Sequence, residues 1–159
     1  MSLLSLIPKP LHRVLYRLAF NARKLALRIL RHDLTGCSIV GLDREGRILL
    51  VRHSYGLPQW TVPGGGMRKG EDPVKTALRE IDEELSCTLH EPRYIAKMEE
   101  SFHGGTNHVH VVTGLVVGEP EPDQREILEA GFFAFDNLPE TVSPVVKMRL
   151  EVLLRESQA

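Results

Sequence analysis

Glu80, Glu83 and Glu84 stand at i, i+3 and i+4 of a helix-favouring segment, so three carboxylates share one helical face. Carboxylates held that close raise one another's proton affinity unless a cation offsets them. Arg79, the preceding residue, can tie one of them down but does not balance three. A hard divalent cation does, and an oxygen-only donor set suits Mg2+, with Mn2+ as a substitute. The bland alternative is a solvated acidic face, the usual fate of a charge run. Upstream, Pro63-Gly64-Gly65-Gly66 lets the backbone approach a ligand or metal closely. Glu71 sits ahead of the helix, where the dipole favours a carboxylate and from where it can reach back to Arg79.

The surrounding pattern supplies elements to hold these groups. Gly36 to Leu42 and Arg47 to His53 flank the turn Asp43-Arg44-Glu45-Gly46, which predicts a hairpin. A Gly/Pro-rich stretch from Gly56 to Gly70 encloses the short run Trp60-Thr61-Val62. Residues 73–85 are expected to form a helix, with Pro73 in its first turn and Asp72 as N-cap. Strand-like runs follow near Tyr94–Phe102 and His108–Val117, then a short strand at Phe132–Phe135 and a closing helix over Ser143–Glu156. Irregular alternation of strands and helices predicts an α/β/α sandwich around a mixed sheet.

The chain has 159 residues, 42% hydrophobic and 26% charged, enough for one domain with a sizeable core. Its two cysteines, Cys37 and Cys87, exclude a disulfide scaffold and a four-cysteine zinc module, and fit reduced thiols in a cytoplasmic protein. Seven of its 20 Lys/Arg fall in residues 1–32, which hold no acid, so the rest of the chain is acidic. An acidic body argues against general nucleic-acid binding.

The basic segment has helical periodicity. Leu11, Leu15, Leu18, Ala22, Leu25 and Ile29 recur on one side, with Arg13, Arg17, Lys24, Arg28 and Arg31 opposite. Three readings of this amphipathic helix compete: packing on the body or on a second subunit, peripheral contact of residues 11–31 with an anionic membrane, and a targeting peptide. The expected division is residues 1–34 as a helical segment and 35–159 as the domain proper.

Gly65, Glu71, Arg79-Glu80-Ile81, Glu83-Glu84, Ser86 and Cys87, at their spacing over 23 residues, resemble the signature of the Nudix hydrolases. The lead-in Trp60-Thr61-Val62-Pro63-Gly64-Gly65 also resembles that family, as do Glu126 to Phe133 and Leu138-Pro139-Glu140 near the other end. Ser86 departs from the pattern, which has a glycine closing the helix where a left-handed residue is often needed. Cys87 replaces a branched aliphatic residue.

The resemblance implies the Nudix α/β/α sandwich and hydrolysis of a nucleoside diphosphate linked to another group. Glu80, Glu83 and Glu84 would hold magnesium, with the Gly64 carbonyl as a further ligand. Arg79 would orient the carboxylates and Glu71 would brace it. A later acid often completes such a site as ligand or base; Glu126 is the candidate and Glu129 the reserve. Homodimerisation is expected by analogy only. A silent relative that binds a nucleotide or partner is the alternative, disfavoured because all the acids of the motif are present.

Candidate substrate contacts are Gly65, Gly66, Arg52, Tyr55 and Trp60, the last as a stacking ring against the commoner role of a core residue. His108 and His110 alternate onto one strand face near His103, with no matching third ligand for a metal.

Overall fold

The structure, a computed structural model, describes residues 8, 10–11, 13–16, 18–20, 22, 34–102 and 105–158. From residue 34 onward the order is β1 (Leu34–Leu42), β2 (Ile48–His53), β3 (Gly64–Gly66), α1 (Pro73–Leu85), β4 (Thr88–Phe102), β5 (Gly105–Val117), β6 (Ile127–Phe133) and α2 (Pro144–Glu156).

Alternating side chains build two cores, one on each face of the sheet. Ile39, Leu49 and Val112 pack with Ala77, Ile81 and Leu85 of α1. Their neighbours Val40, Leu50 and Val111 pack on the opposite face with Val146 and Leu153 of α2. Period-two strands thus place one helix on each side, giving the expected α/β/α sandwich. The strand order is β4-β5-β1-β2-β6, with β3 also on β1. The β1–β5 pair is parallel from Leu34↔Asn107 to Leu42↔Leu115 and the other pairs are antiparallel, so the sheet is mixed.

The sheet forks along β1. That strand meets β2 at Leu42↔Ile48 but meets β3 at Gly36↔Gly66 to Ser38↔Gly64. Residues 60–63 fill the wedge: Ile39 N–H donates to the Pro63 carbonyl at 2.9 Å, and Val51 and Thr61 exchange backbone bonds of 2.8 and 3.0 Å. The glycine-rich stretch is therefore a short strand and its approach, where its composition alone had indicated loop.

Both helices begin at a proline and are capped by the preceding residue. Asp72 Oδ1 accepts from Val74 and Lys75 N–H at 3.0 and 3.1 Å, and Ser143 Oγ from Val145 N–H at 3.3 Å. Ser86 closes α1 in the left-handed region (φ 53°, ψ 30°), where a non-glycine residue costs about 1 kcal/mol.

Described residues of the N-terminal segment are helical between 10 and 22. The face that docks is not the leucine stripe: Leu11, Leu15 and Leu18 are 51%, 43% and 60% exposed. Arg13 instead turns to the body, donating to the Gln124 carbonyl at 2.9 Å and to its side-chain oxygen at 3.1 Å, while Tyr16 and Phe20 lie against Tyr55. Arg17, Lys24, Leu25, Arg28, Ile29 and Arg31 lie outside the described residues. Among the described residues no helix is long and apolar enough to cross a membrane.

Candidate active site

The acids of α1 divide by burial. Glu80 and Glu84 belong to its buried face with Ala77, Ile81 and Leu85, and Glu83 is exposed. Arg79 gathers the site from the helix flank. Its Nε and Nη2 reach the two Glu71 oxygens at 3.2 and 3.3 Å, and its Nη1 reaches Glu80 at 2.7 Å and Glu83 at 3.4 Å. Hydrogen bonds from Arg79 and from the Arg68 N–H hold the Glu71 carboxyl down at about 2, so it stays ionised as the fixed end of the brace.

Two glycines make room for this arrangement. Gly64 lies at φ 155°, and a Cβ there would overlap the Cys37 carbonyl across the β1–β3 pair. At Gly65 a Cβ would overlap the Glu80 carboxylate. The glycine strand thus brings backbone onto an acidic side chain with nothing between them.

The loop before β6 supplies further acid. Asp123 Oδ1 accepts from the N–H groups of Arg125, Glu126 and Ile127 at 2.9 to 3.0 Å, and Asp123 N–H donates to the Glu84 carbonyl at 3.0 Å. This turn aims Glu126 inward, where its Oε1 accepts from the Tyr55 hydroxyl at 2.7 Å. The Tyr16 hydroxyl is also hydrogen-bonded to the Glu126 side chain, and burial together with that carboxylate pushes the phenol up to about 12. Burial, followed by Glu126, Glu80 and Asp123, pushes Glu84 up to about 10. Glu84 Oε2 is buried and has no hydrogen-bond partner.

An unpartnered buried oxygen among like charges suits a hard cation with oxygen ligands, so the donor chemistry fits magnesium or manganese. As the side chains stand, Arg79 sits against Glu80. Among the described residues, no three carboxylate, imidazole or thiol groups enclose a point where an ion would sit.

A cavity of about 530 Å³ opens beside these groups at the fork of the sheet. Gly64, Gly65, Gly66, Tyr55 and Glu126 line it. Arg52 and Trp60 do not: Arg52 pairs with Glu129 at 2.9 Å, and its guanidinium lies 5.9 Å from the Trp60 ring. Trp60 packs edge-on against Phe133 at the margin of the second core. The reserve acid Glu129 is therefore spent on Arg52. His108 lies 3.2 Å from Glu99, and the His110 ring is 5.8 Å from Tyr94. His103 is outside the described residues.

The cavity also holds residues that sequence reasoning missed. Arg149 of α2 is almost wholly buried; its Nε donates to Ser38 Oγ at 3.0 Å and its Nη2 to Glu100. Its signal was present in the placement of a basic residue on the apolar face between Val146 and Leu153. Tyr16 and Phe20, at i and i+4 among leucines, were equally visible as a second stripe.

A sandwich whose forked sheet presses a glycine strand onto an arginine-braced carboxylate helix defines a narrow class. The NUDIX domain model matches residues 34–150, and the chain belongs to that family. The chain is similar to the NAD-capped RNA hydrolase NudC of Pectobacterium carotovorum (29% identical over 109 residues, covering 68% of this chain and 42% of that one). It is also similar to human diphosphoinositol polyphosphate phosphohydrolase 2 (34% over 91 residues, 57% and 51% covered). The chain thus spans about half or less of the length of these curated relatives. Among solved structures, the MutT NUDIX hydrolase from Burkholderia pseudomallei aligns with a TM-score of 0.69 at 26% identity, covering 77% of this chain and 98% of that one.

Proposed function

We propose that this protein hydrolyses a pyrophosphate bond in a nucleoside diphosphate linked to another group, and does so with magnesium. The observation that carries the reading is Glu84, a buried carboxylate facing Glu80 and Glu126 with one oxygen unpartnered. A fold stabilised for its own sake would pair that group or replace it with an apolar one. Glu80, Glu83, Glu84 and the Gly64 carbonyl are the groups to hold the cation. When bound, the metal would neutralise phosphate oxygens and acidify water for attack.

The chain's own residues set the rest. Glu71 fixes Arg79, and Arg79 orients Glu80 and Glu83 on one side of the helix. Glu126, held by the Tyr55 hydroxyl, accepts the proton of the attacking water as general base, and its position opposite α1 suits that role. The backbone of Gly65 and Gly66 provides the surface along which the phosphates lie. The names of the two curated relatives support the reading coarsely, since NAD-capped RNA and a diphosphoinositol polyphosphate both contain phosphoanhydrides.

The test is release of phosphate or nucleotide from a panel of nucleoside-diphosphate compounds with Mg2+ and then Mn2+. Turnover of one compound, abolished by chelation and reduced at least ~100-fold in Glu84→Gln, is expected. A folded protein that binds Mg2+ yet turns over nothing would favour a silent nucleotide-binding module. Full activity in Glu84→Gln would overturn the ligand assignment.

A further inference from the structure

The described residues between 10 and 22 precede the matched NUDIX domain, yet Tyr16, Ala19 and Phe20 among them line the cavity. The Tyr16 ring is stacked with that of Tyr55 at 6.2 Å and 22°, and the Phe20 ring lies 5.1 Å from Tyr55 at 35°. On the same tyrosine, the His53 ring is stacked at 4.9 Å. Arg13 locks the segment to Gln124, two residues from the Glu126 that the Tyr16 hydroxyl reaches. Leu11, Val14, Leu15 and Leu18 meanwhile remain exposed. A helix docked simply to bury apolar area would turn its leucines inward. This one turns in two aromatic rings and a guanidinium.

The rest of the lining indicates what those rings face. Ser38, Arg149 and Asn107 bring polar groups to the same cavity, and His53 Nδ1 is buried with no hydrogen-bond partner. Burial pushes His53 down to about 4, so its imidazole is neutral and offers one donor and one acceptor. Charged side chains in the lining are Glu100, Glu126 and Arg149, and Arg149 is already paired with Glu100. Such a wall repels a polyphosphorylated polyol, which needs clustered cations. Flat aromatic faces and polar groups lining one cavity suit a planar heteroaromatic ring, and the volume lies in the range of small-molecule sites.

We propose that Tyr16 and Phe20 are substrate-specificity residues. Together with Tyr55 they seat the heteroaromatic ring of a nucleoside diphosphate derivative, so the substrate site of this chain is completed from outside its NUDIX domain. This rests on the pyrophosphohydrolase reading above.

The experiment uses the full chain and four variants: Phe20→Leu, Tyr16→Leu, Phe20→Trp and, on the exposed side of the same segment, Leu18→Gln. Steady-state kinetics with ADP-ribose are compared with those for a diphosphoinositol polyphosphate, which has no aromatic ring. Binding of radiolabelled AMP without metal is measured in parallel by equilibrium dialysis. Loss of one stacking ring is expected to raise the KM for ADP-ribose and the Kd for AMP about tenfold in Phe20→Leu and Tyr16→Leu. In Phe20→Leu kcat changes far less, whereas Tyr16→Leu also removes a hydrogen bond from Glu126 and lowers kcat. Phe20→Trp restores both constants, and Leu18→Gln leaves them at wild-type values. Unchanged KM and AMP affinity in Phe20→Leu, or no rescue by tryptophan, overturns the ring seat while leaving the hydrolase reading intact. Aromatic-dependent AMP binding without turnover of any compound overturns the hydrolase reading and keeps the seat. Absence of both turnover and AMP binding overturns the two together.

Discussion

Helices α1 and α2 are of equal length, begin alike and cover opposite faces of one sheet, yet they bury charge in opposite ways. Helix α2 buries Arg149 with partners on three sides: Ser38 at 3.0 Å, the Met98 sulfur at 3.1 Å and the Glu100 carboxylate. Helix α1 buries Glu80 and Glu84 and leaves one oxygen of Glu84 with no partner among its own neighbours. A buried charge answered within the chain belongs to the structure. One left unanswered marks a place where something from outside the chain is expected, because a buried carboxyl with an unpartnered oxygen is costly to keep for packing alone, whether ionised or held protonated. Position along the helix does not separate the two cases; the surrounding strands and loops do.

That contrast can be broken by substitution. The largest expected effect is at Arg149. Arg149→Met removes the cation and strands the Glu100 carboxylate, and should cost about 3 kcal/mol in urea denaturation. A loss below about 1 kcal/mol would mean that α2 does not depend on its buried charge.

Glu84→Gln should act in the opposite direction on stability. Glu84 has a folded-state pKa of about 10, far above its ordinary value of 4.5. Without metal it must therefore take up a proton on folding at any pH between those values. Stability is lost as pH rises through that window, whereas glutamine needs no proton. In the presence of a chelator, Glu84→Gln should match the wild type near pH 4 and exceed it by a margin that widens as the pH rises to 8. Parallel pH profiles for the two proteins would remove the distinction between α1 and α2.

The smallest effect concerns how α1 ends. Ser86→Gly relieves a left-handed serine and should raise stability by about 1 kcal/mol with no change in turnover, measured by the same denaturation series. A destabilised glycine variant would show that the Ser86 side chain contributes to the cap.

Much of the site was legible because it is local. The spacing of Glu80, Glu83 and Glu84, the Asp72 cap, the Pro73 start and the left-handed end at position 86 are decided within a few residues by helix geometry. Arg79 meets Glu71 across one turn and a short loop, and Glu80 meets Gly65 through the same connection. The role of Trp60 was open on composition alone. What places it beside Phe133 and Arg52 is its bridge to Val142, a contact with a distant part of the chain.

The amino-acid sequence by itself determined the carboxylate helix and the mixed sandwich that holds it, while the glycine stretch beside it became a strand only by pairing with β1. The helix and the sandwich follow from periodicity, capping and turn chemistry, whose interactions act over short separations. Tertiary structure alone decided which face of the N-terminal segment docks, that Tyr16 and Tyr55 meet at Glu126, and that Arg149 reaches Ser38 across 111 residues. Both leucine and aromatic stripes satisfy the same helical period. The choice between them was made by the shape and charge of a cavity that exists only after the sheet has forked.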